Sequence, residues 1–315
     1  MDRVAHLLCA VVALALVLCA PADAVPPGAV SGTAASTCDF RAIASAHPDP
    51  ALRNPDHLAG RLCAPFFLPR DYAAARDVMD TNPEAYAGYY YVNARTRHFD
   101  ARLAHAAAEG IDQVVILGAG FDSRAYRFAP RHPTLRFIEV DLPATQAAKR
   151  QAVTRVLGSL PAYVRYAPID FDSESLDQVL ANAGYDPKRR TLFILEGVTM
   201  YVGATGNDTT FAFIARHSAP GSRIVFDYLW RRVVDGDFAG LYGASSSARG
   251  VARVGEPYVT GWSPQAVEAF VTGHGLRVLD HLGSADMTRR YLTGSDGLPD
   301  GRIPEWYGIV DAGVP

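Results

Sequence analysis

The sequence has few metal-binding residues and no excess of positive charge. It contains four cysteines and nine histidines in 315 residues, and none of these stands at the spacing of a metal-ligand motif. We therefore predict no metal site. Lysine and arginine number 30 against 33 aspartates and glutamates, which gives a net charge of −3. Such a balance leaves no broad cationic surface, so nucleic acid is not an expected partner.

Long apolar runs are also absent, except for a short one at the N-terminus. Residues 7–20 are apolar throughout, whereas a membrane-spanning helix needs about 20 such residues. Arg3 precedes the run, and Ala22 and Ala24 follow it in a cleavage pattern. We therefore predict a signal peptide over residues 1–24 and no stable membrane span after cleavage. If the signal is used, the protein enters the secretory pathway, and otherwise it stays in the cytoplasm. The second interpretation of this segment, after a signal peptide, is an uncleaved membrane anchor.

The rest of the chain divides into a short linker and one large domain. Residues 25–37 are rich in proline, glycine, alanine and serine, which is typical of a linker. We expect the folded domain over residues 38–315, with an N-terminal helical cap over 38–110. Cys38 and Cys63 remain after cleavage, and they either form a disulfide in an oxidising compartment or stay as buried free thiols. The sequence does not specify an oligomeric state.

Strand and helix patterns alternate along this domain in the order expected of a parallel sheet. The first strand, 114–117, is an apolar run followed directly by two glycines one residue apart. Further strands are predicted at 137–141, 163–168, 191–195, 223–228, 277–282 and 306–310. The pattern predicts an α/β protein with one doubly wound, mostly parallel seven-stranded sheet.

Acidic residues follow several of these strands, at the edge where such sheets bind ligands. Asp141 follows Gly118 at close to the ~20-residue offset of an acid that accepts both hydroxyls of a ribose. Asp170 follows the third strand and Glu196 the fourth. Ser123 stands where the dinucleotide pattern G-x-G-x-x-G has its third glycine, which favours a ligand without a pyrophosphate. S-adenosylmethionine is such a ligand, and an NAD-dependent oxidoreductase is the alternative.

Five spaced motifs extend this interpretation over nearly the whole domain. They are NARTRHFD at 93–100, LGAGFDSR at 117–124, FIEVDLP at 137–143, FILEGVTMY at 193–201 and GEP at 255–257. In these motifs the sequence resembles the class I S-adenosylmethionine-dependent methyltransferases of the leucine carboxyl methyltransferase-like family. The resemblance implies a Rossmann-like methyltransferase fold and a transferase that uses S-adenosylmethionine.

The resemblance also implies which residues contact the cofactor. They are Arg95 at the cofactor carboxylate, Gly118 and Gly120 beneath the methionine portion, Asp141 at the ribose, Asp170 and Phe171 beside the adenine, and Glu196 at the polar tail. A guanidinium fork suits the bidentate binding of a carboxylate that is expected of Arg95.

The sequence is less informative about the methyl acceptor, which we expect to be a small molecule. A carboxylate acceptor needs no general base, whereas an alcohol or phenol needs one. His98, Asp122 and Tyr201 are candidates for that base, and the sequence does not choose among them. An exported protein that binds the cofactor without turnover is a further alternative.

Overall fold

Seven strands form one sheet within residues 30–169 and 174–315, the parts of the chain that the computed structural model describes. They are β1 (Gln113–Leu117), β2 (Arg136–Asp141), β3 (Val164–Pro168), β4 (Thr191–Leu195), β5 (Arg223–Leu229), β6 (Arg277–Leu282) and β7 (Tyr307–Gly313). Their order in the sheet is β3-β2-β1-β4-β5-β7-β6. Strands β1 to β5 run parallel, and β7 lies antiparallel to both β5 and β6. The predicted doubly wound, mostly parallel seven-stranded sheet is therefore confirmed.

The strand order reverses between β1 and β4, which lie side by side at the centre of the sheet. The chain moves outward from β1 through β2 to β3 and then returns to β4. All five residues of β1 and of β4 are buried, as expected of parallel strands that are covered on both faces. The carboxyl ends of these two strands define the crevice where α/β sheets bind ligands.

Helices cover both faces of the sheet. They are α1 (Gly32–Ala44), α2 (Ala59–Leu62), α3 (Tyr72–Thr81), α4 (Ala87–Ala108), α5 (Arg124–Phe128), α6 (Pro143–Leu157), α7 (Leu176–Asn182), α8 (Ala204–His217), α9 (Arg231–Val234), α10 (Ala244–Arg253), α11 (Pro264–Gly273) and α12 (Ser284–Tyr291). Because strand side chains alternate between faces, Val114 and Ile116 of β1 pack into one core and Val115 and Leu117 into the other. Within the described residues, none of these helices is both long and apolar enough to cross a membrane.

Helix α1 begins earlier than the sequence predicted. The Ser31 side chain accepts a hydrogen bond from the Ala34 amide at 3.0 Å, which caps the helix. The Glu256 carboxylate accepts the amides of Gly32 at 3.1 Å and Thr33 at 3.0 Å. The linker predicted over 25–37 is therefore wrong for residues 32–37, because a distant carboxylate satisfies the amides of this helical turn. Residues 1–29, which include the predicted signal peptide, lie outside the described ranges.

A disulfide joins α1 to the turn after α2. Cys38 and Cys63 are bonded, and their Cα atoms lie 6.3 Å apart. The structure thus decides between the two alternatives that the sequence left open. Helices α1 to α4 all precede β1, as expected of an N-terminal helical cap, and the disulfide stabilises its first two members against each other.

Candidate active site

A cavity of about 1370 Å³ lies at the carboxyl ends of β1, β2 and β4. Five of the predicted cofactor residues line it: Arg95, Gly118, Gly120, Asp141 and Glu196. Helix α1 lines it as well, from Gly32 to Arg41. The parallel topology therefore brings together strand ends that are far apart in the sequence. The two other predicted residues, Asp170 and Phe171, lie outside the described residues.

The turn after β1 requires glycine for both conformational and steric reasons. Gly118 has a φ of 68° and Gly120 a φ of 40°, in a region that other residues rarely adopt. A Cβ at Gly118 would collide with the side chain of Val198. A Cβ at Gly120 would lie 3.2 Å from the Cβ of Ala34 on α1. The absence of side chains lets Val198 and Ala34 pack directly against the backbone of this turn, which itself lines the cavity.

Asp141 lies at the end of β2 beside this turn. Its Oδ1 accepts the Leu142 amide at 2.7 Å, and its Oδ2 accepts the Gly120 amide. Burial raises the pKa of the Asp141 carboxyl, while these two amides favour its ionised form. Each carboxylate oxygen keeps a lone pair beyond these bonds, so the side chain can still accept hydroxyl groups such as those of a ribose.

Arg95 of α4 is held between two acids. Its Nε donates to Glu196 Oε1 at 3.0 Å and its Nη1 to Asp227 Oδ2 at 2.8 Å. Asp227 of β5 also accepts the Gly197 amide at 2.6 Å and the Tyr91 hydroxyl at 2.8 Å. We call Arg95, Glu196 and Asp227 the central ion network. It orients the guanidinium, whose Nη2 makes no hydrogen bond to the described residues.

A second arginine extends this network beneath the turn after β1. Arg124 of α5 pairs with Glu196 and with Asp122, and its Nε donates to Asp100 at 2.8 Å. Burial opposes the ionisation of Asp122, but Arg124 and then Lys149 lower the pKa of this carboxyl to about 2. Burial likewise opposes the ionisation of Glu196, and Arg124 and Arg95 together lower its pKa. Both acids are therefore held as weakly basic carboxylates.

The turn after β1 is supported from below by a buried ion pair. Lys149 of α6 donates from Nζ to the carbonyl oxygen of Ala119 at 3.3 Å and pairs with Glu139 at 2.8 Å. Burial raises the pKa of Glu139 to about 7, although Lys149 favours its charged form. Lys149, Glu139, Asp227 and Arg124 were not among the site residues that the sequence predicted. For Asp227 the sequence did contain a signal, because an isolated charge within an apolar strand, here RIVFDYL, indicates a buried ion pair.

The three candidate bases have different positions. His98 is fully buried away from the cavity, where its Nδ1 lies 2.9 Å from the Tyr291 hydroxyl. The structure therefore removes His98 from the site. Asp122 and Tyr201 both line the cavity. Burial raises the pKa of the Tyr201 hydroxyl well above its ordinary value, so this side chain stays protonated.

Solved structures of related shape agree with this architecture. A Thermobifida fusca YX structure named as a methyltransferase has a TM-score of 0.59 at 15% identity, covering 92% of this chain and 96% of its own. A DUF574 family protein from Streptomyces avermitilis MA-4680 has a TM-score of 0.56 at 15% identity, covering 89% and 97%. At this identity the likeness shows the fold alone.

Sequence relatives define the family. Residues 34–215 match the model of the leucine carboxyl methyltransferase family. A Mycolicibacterium gilvum protein with the name of an S-adenosyl-L-methionine-dependent methyltransferase is 34% identical over 263 residues, which is 81% of each chain. A similarly named Streptomyces coelicolor protein is 30% identical over 286 residues, 89% of this chain and 93% of its own. The chain belongs to the leucine carboxyl methyltransferase family. The predicted family and enzyme class are confirmed, and the oxidoreductase alternative is wrong.

We predict that Asp227→Asn lowers the free energy of unfolding by about 3 kcal/mol, because it leaves Arg95 buried with one partner fewer. Urea denaturation of the two proteins measures this difference. The control is Asp112→Asn, which removes an exposed ion pair to Arg189 and should cost less than about 1 kcal/mol. If both variants lost the same free energy of unfolding, burial of the central ion network would not increase its contribution to stability.

We predict that Asp141→Asn weakens the binding of S-adenosylmethionine more than tenfold, or about 1.4 kcal/mol. The physical reason is the loss of a charged acceptor at the end of β2. Isothermal titration calorimetry measures the affinity, with the exposed Asp77→Asn on α3 as a control that should bind like wild type. Unchanged affinity in Asp141→Asn would remove this residue from the cofactor site.

Proposed function

We propose that this enzyme transfers the methyl group of S-adenosylmethionine to a carboxylate oxygen of a small molecule. The proposal depends on one observation, that the acids Asp122 and Glu196 in the cavity wall are weak bases. Asp122 is paired with Arg124, and Glu196 is paired with both Arg124 and Arg95. These arginines lower the pKa of both carboxyls, so neither is a suitable base to remove a proton from a phenol of pKa near 10. An acceptor that is already ionised at neutral pH avoids this step.

Four further polar side chains that line the cavity are no better suited to act as a base. Asp141 accepts two backbone amides, and Glu256 caps helix α1. Tyr201 stays protonated, and burial raises the pKa of Tyr258 in the same way. No histidine of residues 30–169 or 174–315 lines the cavity. These features favour a carboxylate acceptor over a hydroxyl acceptor.

S-adenosylmethionine fits the polar end of the cavity. It supplies an electrophilic methyl group on a positively charged sulfonium. Asp141 would accept the ribose hydroxyls, and the backbone of the glycine turn, which lines the cavity at Gly118, would lie beside the methionine portion. The Nη2 of Arg95 would donate to the cofactor carboxylate, and Glu196 would accept from the cofactor ammonium group. The remaining task of the protein is to orient the acceptor in line with the reacting bond and to exclude water.

Two tyrosines are placed to orient an acceptor carboxylate. Tyr201 and Tyr258 line the cavity with their ring centroids 5.6 Å apart. The Tyr258 hydroxyl lies 2.8 Å from Ser247 Oγ and 3.3 Å from the hydroxyl of Tyr307. Because these phenols stay protonated, they can donate hydrogen bonds to an anionic oxygen. In this proposal they position the acceptor and do not remove a proton from it.

We predict that the enzyme methylates carboxylates and leaves the matched alcohols and phenols unmodified. The measurement is transfer of labelled methyl groups to pairs such as benzoate and phenol, or hexanoate and hexanol, from pH 6 to 9. The rate with a carboxylate should be nearly constant over this range, because its nucleophile is ionised throughout. Transfer to phenols that rises with pH would contradict the proposal. Binding of S-adenosylmethionine without any transfer would favour the alternative without turnover.

We further propose that the chain is exported, with residues 1–24 as its signal peptide. The short apolar run behind Arg3 supports this, as does the Cys38–Cys63 disulfide, since disulfides persist mainly in oxidising compartments. An exported enzyme then needs S-adenosylmethionine that is supplied from the cytosol.

We predict that the full chain, expressed in a bacterium with a periplasm, is recovered there without residues 1–24. Mass spectrometry of the periplasmic protein measures its N-terminus, which should be Val25. The control is Ala24→Tyr, which places a bulky residue at the cleavage pattern and should leave the segment attached. Wild-type protein found only in the cytosol with its first 24 residues intact would contradict export.

A further inference from the structure

Part of the cavity wall is aromatic and belongs to the N-terminal cap, where one of its residues lies on a helix and the others on connecting segments. Phe40 of α1, Phe66, Phe67 and Tyr86 all line the cavity. The ring of Phe67 has its centroid 5.4 Å from that of Phe40, 5.4 Å from that of Phe66 and 6.2 Å from that of Tyr86. We call these four residues the aromatic wall. Their contacts make one continuous apolar surface, unlike the charged surface around the turn after β1.

Two of the four rings of the aromatic wall are open to solvent, whereas Phe40 is buried. Phe66 is 46% exposed and Phe67 is 45% exposed. Large apolar side chains that remain exposed inside a concave site are typical of a surface that a ligand covers. Leu298, another highly exposed apolar residue, lies outside the cavity lining and offers a comparison.

The segment that carries Phe66 and Phe67 is held in place by α1. The buried Asp39 carboxylate accepts the amides of Phe66, Phe67 and Leu68 at 3.3 to 3.4 Å. The disulfide at Cys63 fixes the start of the same segment. The two rings are therefore exposed because hydrogen bonds and the disulfide hold this loop in a defined conformation. A surface that is ordered before binding loses less conformational entropy when a ligand arrives.

The size of the cavity leaves room for a second molecule beside the cofactor. Its volume of about 1370 Å³ exceeds the roughly 300–1,000 Å³ that is usual for a single small-molecule site. The polar end, around Gly118, Asp141 and Arg95, matches the groups of S-adenosylmethionine. The aromatic wall contains none of these charged groups and remains without an assigned ligand.

We propose that the aromatic wall binds the apolar body of the methyl acceptor, so that the acceptor is a carboxylate attached to an aromatic ring or a similarly large apolar group. This inference rests on the proposed function for the carboxylate itself. The apolar body is assigned by the aromatic wall alone, because burial of exposed phenylalanine rings favours a ligand with a large apolar surface. Phe66 and Phe67 are then residues that determine specificity.

The test is a binding measurement that does not depend on turnover. The protein is loaded with S-adenosylhomocysteine and titrated by calorimetry with 2-naphthoate and with acetate, which share the carboxylate and differ in the apolar body. We expect 2-naphthoate to bind at least about tenfold more tightly. In the Phe66→Ala/Phe67→Ala double variant its affinity should fall about tenfold. The affinity for S-adenosylhomocysteine should not change, which also shows that the variant is folded.

Two further variants test whether the loss of affinity depends on apolar surface at the aromatic wall. Phe67→Leu keeps an apolar side chain and should lose less affinity than the double alanine variant. Leu298→Ala removes an exposed apolar side chain outside the cavity and should bind 2-naphthoate like wild type. Equal binding of acetate and 2-naphthoate, or unchanged 2-naphthoate affinity in the double variant, would overturn the inference. If 2-naphthoate binds through the two phenylalanines and no carboxylate is methylated, the aromatic wall stands as a binding site and the proposed reaction fails.

Discussion

The central ion network is the constraint on which the rest of the site depends. Arg95 comes from α4, Glu196 follows β4, and Asp227 lies within β5, so their contacts attach a helix of the cap to the centre of the sheet. Arg95 and Asp227 are buried and Glu196 is nearly so, and a buried charge is tolerated only when its partners are in place. The position of α4 over the strand ends is therefore coupled to the electrostatics of the candidate active site.

Helix α1 completes the cavity on the opposite side from the sheet. Glu256 binds the N-terminal amides of this helix, and the Ser31 amide donates to the Thr145 hydroxyl at 3.2 Å. Farther along α1, the disulfide and Asp39 hold the segment that carries the aromatic wall. One helix thus contacts both ends of the cavity, the polar end at Gly120 and the apolar end at Phe67. This arrangement explains why the polar end of the cavity and the aromatic wall lie close together.

The sequence predicted which strand-end residues meet at the cavity, because this follows from sheet topology. Gly118, Asp141 and Glu196 stand directly after apolar runs, and in a parallel sheet all such positions meet at one edge. Asp227 was missed because it lies inside a strand, where the pattern indicates only core packing. His98 was a wrong candidate. It lies within a family motif, but its position on α4 places its side chain against Tyr291 and away from the cavity. The role of all seven predicted residues in cofactor binding remains a prediction, and Asp170 and Phe171 lie outside the described residues.

The sequence by itself determined the order of strands and helices, the glycine turn and the acids at the strand ends, because each depends on residues that are near one another in the chain. Only the tertiary structure decided that Cys38 and Cys63 pair, that Glu256 begins α1, and that Arg95 lies between two acids. These contacts join residues far apart in the sequence, and their free energy depends on burial and distance, which no local pattern of residues contains.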